Sequence, residues 1–291
     1  MPEKVSILSV QKPLASLEIL RSLVRWPPGF GDTFVVLHGY IDESYNQQIF
    51  TLSCLVAKDK DWYELSRNWN LVLKAWNKRL KAQGRPILSR YHATDCSNLK
   101  REFKDWTPDE QRALVKELIH TFKGRHVDTI AYSIDLDEFR RIIPESLTHA
   151  QPDFAGYIYG LTFKQVLYEI STRYGDPHPD TKIGLSHDRC SYDHVLLDAF
   201  QQVKDDQYCE HRDMFTSIMP IGWEDWVPLQ PTDLVAYENF KDSMRKKNPR
   251  DRRKALDALV NLDSFGGRAR FMGTQAIEQW RDTLLGLGSL V

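Results

Sequence analysis

Apolar residues recur along the chain at two spacings, one typical of strands and the other of helices. Residues 34–42 and 50–57 are rich in apolar, β-favouring side chains and predict two antiparallel strands with a turn at residues 43–47. The next segment predicts an amphipathic helix, because apolar side chains return there every three or four residues. Its predicted core-facing side chains are Trp62, Leu65, Trp69, Val72, Trp76 and Leu80.

The rest of the chain alternates between the same two patterns. Helices are predicted over residues 108–122, 154–173, 192–203 and 231–247, and strands over residues 127–134, 182–187 and 214–219. An antiparallel opening followed by alternating helices and strands predicts an α/β fold, with a mixed β-sheet flanked by helices. Two extra C-terminal helices are predicted over residues 252–262 and 274–285, with a loop at residues 264–267 between them.

Residues that break helices and strands predict the domain boundaries. The cluster WPPG at residues 26–29 ends an N-terminal lead-in, residues 1–31. Residues 32–249 are then expected to form the main domain, and residues 250–291 a C-terminal helical elaboration.

The composition excludes some classes of protein. The 291 residues include 39 Lys and Arg against 40 Asp and Glu, a formal net charge of -1, so the chain is not a general polycation. No apolar stretch approaches the roughly 20 residues of a membrane-spanning helix, and the first residues lack the apolar core of a signal peptide. With four irregularly spaced cysteines, the chain is expected to be cytoplasmic, without a disulfide framework or membrane association.

The near-zero net charge conceals two basic segments. Residues 74–104 contain nine Lys and Arg against two acidic residues, and residues 241–254 contain eight against two. Such a segment is either solvated surface or a place where the phosphates of a nucleic acid bind. Because the second segment continues the predicted helix that carries Asp233, we expect a nucleic-acid partner. The residues expected to follow its phosphates are Lys246, Lys247, Arg252 and Arg253.

Four acidic residues stand where ordinary surface charge is not expected. Asp42 ends a predicted strand and is followed by Glu43, and Asp188 ends a later strand. Neighbours on a regular strand point to opposite faces, so Asp42 and Glu43 can serve one site only if the strand ends there. Asp233 lies in the first turn of a predicted helix, on or beside its apolar face, where an uncompensated carboxylate is costly.

Each of these acids also has an ordinary structural explanation. Asp42 and Glu43 could form a turn, Asp188 could cap a helix, and Asp233 could interact with the helix dipole. Taken together, carboxylates from two strand ends and a late helix can meet at one edge of a sheet, where oxygen ligands suit Mg²⁺ or Mn²⁺. Two such ions about 4 Å apart can support phosphodiester cleavage, so Asp42, Asp188 and Asp233 are candidate metal ligands, although their spacing alone does not decide between a shared metal site and three separate structural roles.

Three short motifs resemble those of a known family. They are YIDES at residues 40–44, YHATD at residues 91–95 and LQPTDLVAY at residues 229–237. Over about residues 34–247 the chain is similar to the proteins grouped as domain of unknown function 3800, with Tyr45 and Thr232 in place of the family's Gly and Ala. The resemblance implies a ribonuclease-H-like sheet and a two-metal site, with Asp42 on the first strand, Asp188 on a later strand and Asp233 on the late helix.

His92 and Gln230 are supporting candidates. His92 could transfer a proton or contact a phosphate, and Gln230 could orient a metal ligand or bind substrate. The alternatives are a structural histidine and a cap to the helix that follows Gln230. A rival zinc site could use His187, Cys190, His194, Cys209 and His211, although their spacing does not match a zinc knuckle.

These observations favour a divalent-metal-dependent nuclease that hydrolyses phosphodiester bonds of DNA or RNA. The alternative is a non-catalytic nucleic-acid- or protein-binding module of the same fold. A strand-transfer enzyme of the transposase type would use the same acids but needs an end-recognition module that the sequence does not show. The candidate catalytic residues are Asp42, Glu43, Asp188, Asp233, Gln230 and His92.

Overall fold

Strands and helices alternate over the part of the chain that the computed structural model describes, residues 36–145, 154–177, 180–223 and 226–288. The predicted lead-in, residues 1–31, lies outside the described residues. The strands are β1 (Val36–Tyr45), β2 (Ile49–Lys58), β3 (Val127–Asp135), β4 (Lys182–Asp188), β5 (Phe215–Ile221) and β6 (Phe265–Met272). The helices are α1 (Asp59–Ala82), α2 (Ala93–Ser97), α3 (Pro108–His120), α4 (Leu136–Ile142), α5 (Phe154–Ile170), α6 (Asp193–Asp205), α7 (Leu229–Lys247), α8 (Lys254–Val260) and α9 (Thr274–Gly288).

The strands form one mixed sheet in the order β5-β4-β1-β2-β3-β6. β1, β2 and β3 are antiparallel neighbours, whereas β4 and β5 extend the sheet in parallel beside β1, and β6 runs parallel to β3. The buried apolar residues separate into two clusters, one between the sheet and α5 and α6, the other between the sheet and α1, α3 and α7. The predicted α/β fold with a mixed sheet flanked by helices is therefore confirmed.

The predicted amphipathic helix corresponds to α1. Five of its six predicted core residues are buried, and Leu73 rather than Val72 is the sixth, because its side chain lies nearer the centre of the apolar face. α3 begins as its sequence indicates, since Thr107 and Glu110 form a reciprocal capping box. No helix among the described residues is long and apolar enough to cross a lipid bilayer.

Two local predictions are wrong. β1 continues through Glu43 to Tyr45, so the predicted turn at residues 43–47 is confined to residues 46–48. The predicted loop at residues 264–267 instead begins β6, which pairs with β3 along its whole length. The C-terminal segment therefore supplies an edge strand to the main sheet as well as the two predicted helices.

Glycine explains why β6 does not look like a strand in the sequence. Gly267 has a φ of +121°, and a Cβ there would lie 1.9 Å from the backbone oxygen of Thr129 on β3. Only a residue without a side chain allows the two backbones to approach this closely. The glycine pair that suggests a loop is thus a requirement of the strand pairing.

Gly267→Ala is expected to lower the free energy of unfolding by about 2 kcal/mol or more, because the added methyl group meets the backbone of β3. Denaturation by urea measures the change. Gly84→Ala is the matched control, since Gly84 has a φ of +66° but open space where a Cβ would stand, and should cost about 1 kcal/mol. Equal losses in the two variants would contradict the close approach as the cause.

Candidate active site

The pairing of β1 with β4 brings two predicted carboxylates to one end of the sheet. The strands are parallel, and their register pairs Ile41 with His187. The next residues along the two strands are Asp42 and Asp188, which strand alternation places on the face that α7 covers. Both are half-buried, so the register of β1 and β4 sets their proximity.

α7 contributes a third carboxylate. Asp233 lies near the start of the helix, and its Oδ2 accepts a hydrogen bond from the backbone N–H of Ala93 at 2.8 Å. Burial raises the pKa of Asp233 to about 6, while His92, this hydrogen bond and Arg90 oppose the rise and Asp188 adds to it. Asp233 therefore lies among the same charged groups as the strand-end acids.

Glu43 projects to the other face of β1. The hydroxyl of Tyr159 on α5 donates a hydrogen bond to Glu43 Oε2 at 2.7 Å. Burial raises the pKa of Glu43, the Tyr159 hydrogen bond lowers it, and the charge of Asp188 raises it. Although alternation separates Asp42 from Glu43, both line the same cavity at the end of the strand.

The surroundings of Asp42 are also unfavourable for a negative charge. Burial raises its pKa well above the usual range, and the charges of Asp233, Glu43 and Asp188 raise it further. The backbone N–H of Glu43 donates to Asp42 Oδ1 at 2.9 Å and opposes this rise only in part. A divalent cation between these carboxylates would offset their repulsion, and their oxygen atoms are the ligands that Mg²⁺ and Mn²⁺ prefer.

The carboxylates line a cavity of about 430 Å³ whose wall also carries positive charge. Arg90, Arg189 and Trp223 line it together with His92 and Gln230. The Arg90 guanidinium carbon lies 3.8 Å from the centre of the Trp223 ring. Such stacking orients the guanidinium plane while its N–H groups can still bind an anion.

Trp223 and Arg189 line the cavity but are not singled out by the sequence, and Arg90 stands out there only as one of the nine basic residues at positions 74–104. Arg90 and Trp223 come from segments more than 130 residues apart, so no local pattern predicts their contact. The available signal is that Arg90 directly precedes the motif at residues 91–95.

Gln230 is a buried positioning residue. Its side-chain oxygen accepts hydrogen bonds from the indole N–H of Trp69 at 3.1 Å and from the backbone N–H of Tyr91 at 2.9 Å. It thereby joins α7 to α1 and to the segment that carries His92. Because α7 already begins at Leu229, Gln230 belongs to the first turn of the helix and is not a cap before it.

The carboxylate of Asp95 holds the His92 ring in place. Its Nδ1 lies 2.7 Å from Asp95 Oδ2, and an ionised carboxylate can only accept, so Nδ1 carries the proton. The half-buried imidazole therefore has Nε2 available for proton exchange.

The predicted phosphate-contacting residues lie towards the other end of α7. At 1.5 Å per residue, Lys247 is about 20 Å along the helix axis from Asp233. The carboxylate cavity is lined by none of the four. Their contacts are Lys246 with the Phe271 ring, Lys247 with Asp135 and Asp137, Arg252 with Asp242 and Asp257, and Arg253 with buried Glu238.

The predicted zinc ligands do not gather at one place. Among the described residues, one group of ligand atoms within 4.8 Å contains His187, Cys190 and Asp193, and another contains His211 with two acids. In the first group His187 Nδ1 donates to the backbone oxygen of Asp188 at 2.9 Å, so that nitrogen is already occupied.

Asp42, Asp188 and Asp233 do not form a triple with ligand atoms within 4.8 Å of one another. In this arrangement one ion could not contact all three carboxylates at once. Ligands shared between two ions about 4 Å apart can themselves be about 8 Å apart.

Comparison with known proteins identifies no relative of this chain. No protein-family model, no curated protein and no solved structure matches it. The resemblance indicated by the three motifs therefore stays a prediction, and a function has to be argued from the site itself.

Asp233→Asn is expected to stabilise the metal-free protein at neutral pH. The pKa of about 6 exceeds the ordinary 3.8, so between these values the folded protein keeps a proton that the unfolded chain releases. Stability is therefore lost as the pH rises through this window, by at most about 3 kcal/mol at about 1.4 kcal/mol per pKa unit. Asparagine avoids this loss and can still accept from the Ala93 N–H.

Urea denaturation with a chelator, at about pH 4 and about pH 8, measures the effect. The variant should gain stability over the wild type only at the higher pH. Asp257→Asn, at a half-exposed acid on α8, is the control and should show no such change. A gain for Asp233→Asn that is equal at both pH values would contradict the raised pKa as its origin.

Proposed function

We propose that the protein is a divalent-metal-dependent nuclease that hydrolyses phosphodiester bonds of DNA or RNA. The observation that carries the proposal is the convergence of four carboxylates on one cavity from two strand ends and α7. Their mutual repulsion favours cation binding, and two arginines on the same wall favour an anionic substrate. Asp42, Asp188 and Asp233 would hold the ions, with Glu43 as a fourth ligand candidate.

The fold belongs to this proposal as well. We propose that the sheet is ribonuclease-H-like, supported by the antiparallel β1-β2-β3 unit, the parallel strands β4 and β5 beside β1, and helices on both faces. The three acids stand on the elements that the family resemblance implies: the first strand, a later strand and the late helix.

The neighbouring residues have distinct proposed tasks. Bound divalent cations would supply the activated water and the stabilised leaving oxygen of phosphodiester hydrolysis. Arg90 and Arg189 would bind the non-bridging phosphate oxygens. His92, fixed through Nδ1 by Asp95, would exchange a proton at Nε2. Gln230 would act indirectly, by positioning the segment that carries Arg90 and His92.

Cleavage of labelled DNA and RNA oligonucleotides with Mg²⁺ or Mn²⁺ tests the nuclease. Asp42→Asn should lower the rate by about 10³-fold, because a lost metal ligand removes several kcal/mol of transition-state stabilisation. Asp257→Asn should cleave like the wild type. Equal cleavage rates for the wild type and Asp42→Asn would contradict the proposed role of Asp42 as a metal ligand of a nuclease.

The alternative, a non-catalytic binding module, is favoured by the looser spacing of the three carboxylates relative to the two tighter groups. It would show itself in the same experiment as oligonucleotide binding without cleavage, unaffected by a chelator.

A second test locates the phosphate contacts. In an Asp42→Asn background, Arg90→Gln should weaken oligonucleotide binding and reduce the slope of log affinity against log salt by about one. Arg252→Gln is the control, because Arg252 already pairs with Asp242 and Asp257 at 3.6 Å each. A reduced slope for Arg252→Gln alone would instead place the phosphates along the basic segment at residues 241–254.

A further inference from the structure

A second cavity lies on the opposite face of β1 from Asp42. It has a volume of about 300 Å³, at the small end of the range for ligand pockets. Its wall is formed by the end of β1, the start of β2, the helices α4 and α5 and the segment before α6, and it includes five aromatic side chains. They are Tyr45, Phe50, Phe154, Tyr159 and Tyr192.

The two cavities adjoin at the end of β1. Glu43 and Tyr45 line both of them. Tyr159 connects their chemistry, since its ring lines the aromatic cavity while its hydroxyl donates to Glu43 at 2.7 Å. A ligand with an anionic part and a flat apolar part could therefore occupy both cavities at once.

Tyr45 is placed to contact such a ligand. It follows Asp42 by three residues on the same strand, which is about 10 Å. Its side chain is 67% exposed, although its ring stacks on Phe50 with the centroids 6.2 Å apart and the planes at 30°. An aromatic ring that is held from one side and open on the other is suited to stacking.

Arg140 gives the aromatic cavity a positive group. Its guanidinium carbon lies 4.6 Å from the centre of the Phe154 ring, and its side chain is about half exposed. A stacked guanidinium can hydrogen-bond the carbonyl and ring-nitrogen acceptors that line the edge of a nucleobase.

We propose that the aromatic cavity binds one unstacked nucleobase of a single-stranded nucleic acid whose neighbouring phosphate lies in the carboxylate cavity. This inference rests on the proposed nuclease and names its substrate class. A base in a duplex is already stacked and paired, so it reaches a separate cavity only after that pairing is broken. Stacking on aromatic side chains is how sequence-tolerant single-strand binding is achieved.

The test measures the affinity of Asp42→Asn protein for 5′-labelled oligothymidylate and oligouridylate, without cleavage. Tyr45→Ser should weaken binding about tenfold or more, and Tyr45→Phe should restore it. Tyr208→Ser is the control, because Tyr208 is 80% exposed but lies in neither cavity. Tighter binding of oligothymidylate identifies DNA as the source of the base, and tighter binding of oligouridylate identifies RNA.

A scan of the oligonucleotide identifies the bound base. One abasic residue, moved along the oligonucleotide, should weaken binding at one position when the protein retains Tyr45 and should have no such effect with Tyr45→Ser. If binding weakens at one abasic position but the wild type shows no metal-dependent cleavage, the base-binding role of the aromatic cavity is supported and the proposed nuclease activity is contradicted. If the wild type cleaves with metal but neither Tyr45→Ser nor the abasic scan changes binding, the base-binding role is contradicted and the nuclease proposal is unaffected.

Discussion

The crowding of negative charge at the end of β1 is the constraint on which the rest of the site depends. Asp42, Glu43 and Asp233 are partly removed from water, and neighbouring carboxylates, Asp188 among them, raise the pKa of each. A fold gains no stability from such an arrangement. The crowded carboxylates persist because contacts elsewhere fix the register of β1 with β4 and the position of α7. Groups with strongly shifted pKa values of this kind are enriched at functional sites.

α7 is held in place by contacts at both ends. Near its start, Gln230 accepts hydrogen bonds from Trp69 and the Tyr91 backbone. At its other end, Lys247 pairs with buried Asp135 at 2.7 Å, and at its middle buried Glu238 pairs with Arg253 at 2.8 Å. The basic residues that look like a phosphate-binding surface in the sequence thus have a structural role, because they fix the helix that positions Asp233.

Local patterns predicted most elements, and long-range contacts account for what they missed. The periodicity of α1 and the Thr107 cap specify their helices within a few residues, so they are readable from sequence. The strand β6 cannot be predicted in this way, because a glycine-rich segment favours a loop by local rules. Gly267 is required there by the nearby backbone of Thr129 on β3, which is a long-range contact. Arg90 is visible only as a charge, since its orientation comes from Trp223, far along the chain. That Asp42, Asp188 and Asp233 share one cavity follows from local patterns, because the first two end apolar strands and the third lies on or beside the apolar face of its helix.

The alternation of side chains along β1 links the two cavities. On sequence grounds, alternation allows Asp42 and Glu43 to serve one site only if the strand ends there. β1 instead continues to Tyr45, so its last residues divide the end of the sheet into two faces. Asp42 lies on the α7 face with Asp233, while Glu43 bonds to Tyr159 of α5 on the other. Because Glu43 and Tyr45 line both cavities, the end of β1 joins a charged cavity to an aromatic one, and a nucleotide combines the same two chemistries in adjoining groups.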